Sequence, residues 1–131
     1  MLQHSKAFFS YSVTDIAAVE NFYRDILGIK AEQTPEGLSL TMSDGGAGFL
    51  YPKPDHQPAT FTVLNFIVDD IDAAVDGLKK QGVTFEQYDL PDLKTDAKGI
   101  MRSEGRGPAG IAWFKDPAGN ILSVVQESAK A

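Results

Sequence analysis

The chain has 131 residues, 43% hydrophobic and 23% charged, with no cysteine. One domain with an ordinary apolar core is therefore expected, without disulfides, a thiolate nucleophile or a Cys-type metal site. The formal net charge of −6 argues against nucleic acid or an anionic membrane surface as partner, because affinity for phosphates comes from basic residues.

The start, Met1 to Lys6, lacks the apolar stretch of a signal peptide. No apolar run approaches the ~20 residues that span a bilayer, so a cytoplasmic protein is expected. In residues 7–13, Phe9, Tyr11 and Val13 alternate with Ser10 and Ser12, the pattern of a half-buried strand. Thr14 and Asp15 offer N-cap chemistry. Val19, Phe22, Tyr23, Ile26 and Leu27 follow at helical spacing, so residues 15–27 read as an amphipathic helix closed by Gly28. Short strands are expected over 29–33, 38–42 and 48–51, with a turn at Ser43-Asp44-Gly45-Gly46. Pro52, Pro54 and Pro58 mark a connecting loop.

The pattern then restarts. Residues 61–68 are an apolar, β-branched run interrupted by Asn65. Asp69 and Asp70 can cap a helix carrying Ile71, Ala74, Val75 and Leu78, and Gly82 closes it. Strands are expected over 83–86, 111–114 and 121–125, the last two joined by a turn at Asp116-Pro117-Ala118-Gly119. The halves can be superposed as strings. Val13-Thr14-Asp15-Ile16 matches Val68-Asp69-Asp70-Ile71, Gly28 matches Gly82, and Gly37-Leu38-Ser39-Leu40 matches Gly110-Ile111-Ala112-Trp113. Recurrence of junction, helix, glycine and hairpin in one order is the mark of an internal duplication. Residues 88–108 have no counterpart in the first half. Ile100 to Ser103 can form a short strand within them, and the segment reads either as a cover over a binding cup or as an edge strand or dimer contact.

Three stretches carry a family resemblance. They are Val13-Thr14-Asp15-Ile16 with Asn21-Phe22-Tyr23-Arg24-Asp25-Ile26-Leu27-Gly28, then Val68-Asp69-Asp70-Ile71-Asp72-Ala73-Ala74, then Trp113-Phe114-Lys115-Asp116-Pro117-Ala118-Gly119-Asn120. In this order and at these intervals the chain resembles the vicinal oxygen chelate superfamily, which includes glyoxalase I, extradiol dioxygenases, and the fosfomycin- and bleomycin-resistance proteins. The resemblance implies an α+β fold in which two βαβββ modules form a cupped mixed sheet with helices outside. Module one would run from about 7 to 52 and module two from about 61 to 126, within a single domain of residues 1–131. It also implies a homodimer. Catalytic members hold a divalent metal on His and Glu side chains, leaving positions open for a substrate's two adjacent oxygens. Counted from the signatures, the ligand positions fall on Phe8, Val63 and Ser123 and near Leu50. None of these side chains ligates metal, nor do their immediate neighbours, so neither metal nor cofactor is expected.

Strand alternation would put Phe8, Ser10 and Ser12 on the cup face, with Val63, Asn65 and Ile67, Ile111 and Trp113, and Ser123. The opposite faces would pack on the helices. A mostly apolar cup with a few polar groups suits a small molecule. The candidate ligand-binding residues are Phe8, Ser10, Leu50, Val63, Asn65, Arg102, Ile111, Trp113 and Ser123. Arg102 belongs to a basic run with Lys94, Lys98 and Arg106, which reads more simply as a solvated loop. Of the two histidines, His4 precedes the first strand and His56 lies in the proline-rich loop. Neither is at a ligand position, and the serines are expected to lack a histidine partner. The first reading is a metal-independent protein that sequesters or senses an aromatic or amphipathic molecule beside Trp113. The alternatives are an enzyme with an unorthodox metal site around Asp96 and Glu104, and a dimeric scaffold with a filled cup.

Overall fold

The computed structural model describes residues 1–103 and 107–128. It divides in the proline-rich loop into two compact units, Met1–Pro58 and Ala59–Ala131. In the first unit, β1 (Phe8–Val13) leads into helix α1 (Ile16–Glu20), which continues as a π-helical segment (Asn21–Ile26). β2 (Lys30–Thr34), β3 (Gly37–Thr41) and β4 (Ala47–Pro52) follow. Asp15 is the N-cap, its carboxylate accepting from the Ala17 amide at 3.1 Å. The expected α-helix therefore widens over its second half. The Leu27 amide donates to Phe22 O at 2.9 Å, and Ile29 N reaches back to Tyr23 O across Gly28, whose φ is +75°. Apolar spacings of three and four residues suit either kind of turn, so periodicity does not separate them.

The first sheet has the order β1-β4-β3-β2, with β1 parallel to β4 and the other pairs antiparallel. Val13, Leu38, Leu40 and Leu50 are fully buried, together with Val19 and Tyr23 of the helical stretch. The Tyr23 hydroxyl lies 2.7 Å from that of Tyr11. Each such aliphatic side chain contributes about 1.5–3 kcal/mol through burial.

In the second unit, β5 (Thr62–Ile67) leads into α2 (Ile71–Lys80), capped by Asp70 on the Ala73 amide at 3.1 Å. A hairpin of β6 (Asp89–Leu90) and β7 (Leu93–Lys94) comes next, then β8 (Ile100–Arg102), β9 (Gly110–Lys115) and β10 (Ile121–Gln126). The sheet order is β5-β10-β9-β8, with β5 parallel to β10. Strand for strand this repeats the first sheet, with β5, β10, β9 and β8 standing where β1, β4, β3 and β2 stand. The fold is thus α+β, built from two βαβββ modules, and the β6–β7 hairpin is an insertion between α2 and β8 of the second. Ile71 and Val75 of α2 are buried with Ile100, Ala112, Phe114, Leu122 and Val124.

One expected strand is reduced. Over 83–86 there is a single antiparallel bridge, Phe85 to Phe114, with Glu86 N donating to Trp113 O at 2.8 Å. β8 already pairs with Gly110, Ile111 and Ala112 on that edge of β9, so only the far end of β9 is left for Phe85. The strand expected at 100–103 is present as β8, the edge strand of its sheet. Among the described residues no helix is long and apolar enough to cross a membrane.

Candidate functional site

On the face of the second sheet turned away from α2, three strands align one row of side chains. Ser123 of β10 pairs with Asn65 of β5 on one side and with Trp113 of β9 on the other. The Ser123 hydroxyl donates to Asn65 Oδ1 at 2.5 Å. Ser123 is fully buried between its neighbours, whereas Asn65 is exposed. The Trp113 indole N–H donates to the Thr62 hydroxyl at 3.1 Å. Its ring is met edge-on by Tyr88, with centroids 5.5 Å apart and planes at 84°. Tyr88 comes from the segment without a counterpart in the first half. Burial, and then the charge of Glu86, push its phenol above the ordinary value, so it stays neutral at physiological pH.

A bulge decides which β5 residue meets the tryptophan. Ile121 pairs with Thr62 but Leu122 pairs with Leu64, so the register skips Val63. Thr62 thereby reaches Trp113, where simple alternation expects Val63. Ile111 lies on the same face as Trp113, half-buried and paired with Val125 and Met101. In the first unit the corresponding row is Ser10, Phe49 and Ser39. Phe8 and Ser10 are exposed there, Phe8 at 69%.

Two candidate residues lie on the other side of their sheets. Leu50 pairs with Tyr11 and Leu38 on the buried face and is fully enclosed, so the match through the hairpin is one residue out and the outer face carries Phe49 and Tyr51. Arg102 falls on the α2 side with Ile100. Its guanidinium holds Asp72 of α2 through two bonds, at 2.8 and 3.2 Å, and Asp96 through a third at 3.0 Å. Lys98 reaches Asp72 at 2.8 Å and Asp76 at 3.0 Å. Two residues of the basic run are therefore neutralised by α2, which removes much of the local attraction for an anion. The Asp72 carboxyl is held well below the usual range, chiefly by hydrogen bonds from Arg102 and then Lys98.

The histidine in the loop has a partner after all. His56 Nδ1 lies 2.6 Å from the Ser12 hydroxyl, across 44 residues of sequence. A serine and an imidazole at this distance meet the first geometric requirement of a nucleophile and its base. The same bond fastens the proline-rich loop to the end of β1.

The donor set does not fit a metal. Phe8, Val63 and Ser123 offer no imidazole or carboxylate, and neither does Phe49 or Tyr51 beside Leu50. Among the described residues no three His, Cys, Asp or Glu side chains gather in a way that could hold an ion. Asp96 is occupied by the Lys98 and Ile100 amides at 2.9 and 3.0 Å and by Arg102. Glu104 and Arg106 lie outside the described residues.

Comparison with known proteins agrees with this architecture. The family model described as "Glyoxalase/Bleomycin resistance protein/Dioxygenase superfamily" matches residues 7–124. No curated protein sequence matches the chain. Among solved structures, an integron cassette protein from the mobile metagenome of V. cholerae is 27% identical, with 98% of each chain covered and a TM-score of 0.62. TnmS3, an antibiotic binding protein from Streptomyces sp. CB03234, is 20% identical over 96% of this chain and 99% of its own, with a TM-score of 0.66. The fosfomycin resistance protein FosX from Listeria monocytogenes is 12% identical over 95% and 92%, with a TM-score of 0.70. The duplicated βαβββ topology, the capped strand-to-helix junctions and the match over nearly the whole chain place this protein in the glyoxalase/bleomycin resistance protein/dioxygenase superfamily.

Proposed function

We propose that the protein binds a small aromatic or amphipathic molecule without a metal, and acts by sequestering or sensing it. The observation that carries this reading is the row Asn65, Ser123 and Trp113. Ser123, one of the positions counted as a metal ligand, lies between an indole fixed by Thr62 and Tyr88 and the amide it is hydrogen-bonded to. Apolar neighbours supply affinity and sparse polar groups supply orientation. Ile111 and Thr62 flank the row, and Phe8 and Ser10 hold the equivalent places in the first unit. Leu50 and Arg102 have no part in it. The antibiotic-binding and resistance proteins of similar fold support a protective role; a cytoplasmic location and a homodimer belong to the same proposal.

The test has two arms. Tag-free protein, refilled with zinc, nickel, iron or manganese and then dialysed, should retain less than about a tenth of an equivalent of each by elemental analysis. Trp113 is the only tryptophan, so a panel of polycyclic aromatics should include members that change its emission saturably. Near one equivalent of retained metal, or a panel with no saturable response, overturns the proposal.

A further inference from the structure

Resting on that reading, we infer that the ligand presents a hydrogen-bond acceptor, such as a carbonyl on an aromatic ring system, to the Asn65 side-chain amide. The orientation of that amide is fixed from inside. Ser123 is fully buried and its proton must be accepted. Its hydroxyl donates to Asn65 Oδ1. The amide oxygen therefore faces Ser123, and the NH2 group, with two donors, is left for whatever approaches the exposed side of the residue. Among the described residues Asn65 Nδ2 makes no hydrogen bond. The Thr62 oxygen accepts from the indole, and its proton remains available to be donated. The indole N–H is itself consumed by that bond. Beside the ring surface of Trp113 the Asn65 NH2 thus offers only donors. A ligand that brings its own N–H to that group leaves donor facing donor.

The tricycles 9-fluorenone, fluorene and carbazole share one shape and differ at one bridging group, which is a carbonyl, a methylene or an N–H. Equilibrium dialysis against the full chain should find fluorenone bound about tenfold more tightly than carbazole, the scale of one hydrogen bond made against one donor left unpaired. Asn65→Asp keeps an oxygen for Ser123 but replaces the outward NH2 by a second acceptor, so it should reverse the preference. Asn65→Leu should abolish it. Equal binding of fluorenone and carbazole, or a preference unchanged in Asn65→Asp, overturns the inference while leaving the binding reading in place. Failure of all three to bind overturns both.

Discussion

At the scale of single residues, Asp116 shows how one side chain fixes a turn. It is buried, and its carboxylate accepts from the Ala118 and Asn120 amides, each at 2.9 Å, while the Asn120 side-chain amide approaches at 3.3 Å. Asn120 in turn reaches the Ala59 amide at 3.3 Å. Asp116→Ala would strand two buried N–H groups and should destabilise the protein by about 2–4 kcal/mol, read from the denaturant midpoint. Asp116→Asn keeps one acceptor oxygen and should lose less. The Asp-Pro-x-Gly pattern makes this turn legible from sequence, because its chemistry is local. The Ser12–His56 contact is invisible there, because 44 residues separate its partners. The row of Asn65, Ser123 and Trp113 was legible through strand alternation. Thr62 was not, since a bulge moves one residue to the other face and leaves no mark in the pattern of hydrophobicity. Leu50 was misplaced for a related reason. Gly37 and Gly110 look equivalent as strings, yet the residue after each, Leu38 or Ile111, faces opposite ways in the two sheets.

Elements test the same logic through glycine. Gly77 sits inside α2, exposed, with open space where a Cβ would stand. Gly77→Ala should therefore stabilise the protein by about 0.5–1 kcal/mol, through helix propensity alone. Gly37 in β3 is the opposite case. A Cβ there would lie 2.1 Å from the backbone oxygen of Leu50, which cannot move without disturbing β4. Gly37→Ala should separate the two strands and cost about 1–3 kcal/mol. Thermal unfolding of the two variants beside the parent checks both signs at once. The existence and order of the main elements followed from caps, periodicity and closing glycines. What did not follow were outcomes of competition, namely the widened turn after α1 and the strand at 83–86 that lost its partner edge to β8.

Across the whole molecule, one ion-pair network joins parts of the second unit that are distant in sequence. Asp72 and Asp76 of α2 hold Lys98, and Asp72 and Asp96 hold Arg102 of β8. The hairpin between α2 and this network carries Tyr88 at its base, against Trp113 on the other face of the sheet. The network thus stitches the insertion onto the helix. Hydrogen bonds from Arg102 and then Lys98 depress the Asp72 carboxyl. For Asp96, burial opposes ionisation but the Ile100 and Lys98 amides and Arg102 outweigh it, so its carboxyl is depressed as well. Lys98 is raised, first by Asp72 and then by Asp76. A depressed carboxyl binds fewer protons in the folded than in the unfolded chain. Its contribution is complete above the unfolded value of about 4 and is lost as pH falls through the folded one. The raised lysine contributes fully below about 10.4 and loses its contribution only above that. The network should therefore be intact at neutral pH and fail in acid. Urea midpoints measured between pH 7 and pH 3 should fall more steeply for the parent than for Asp72→Asn, which has already lost the pairing at pH 7. The double variant Lys98→Met, Arg102→Met keeps Asp72 at the start of α2 and should flatten the acid limb in the same way, which separates ion pairing from the favourable charge at a helix start. Acid limbs of equal slope in all three proteins would mean that the pairs contribute nothing to stability, as many exposed pairs do not, and that packing alone holds the insertion in place.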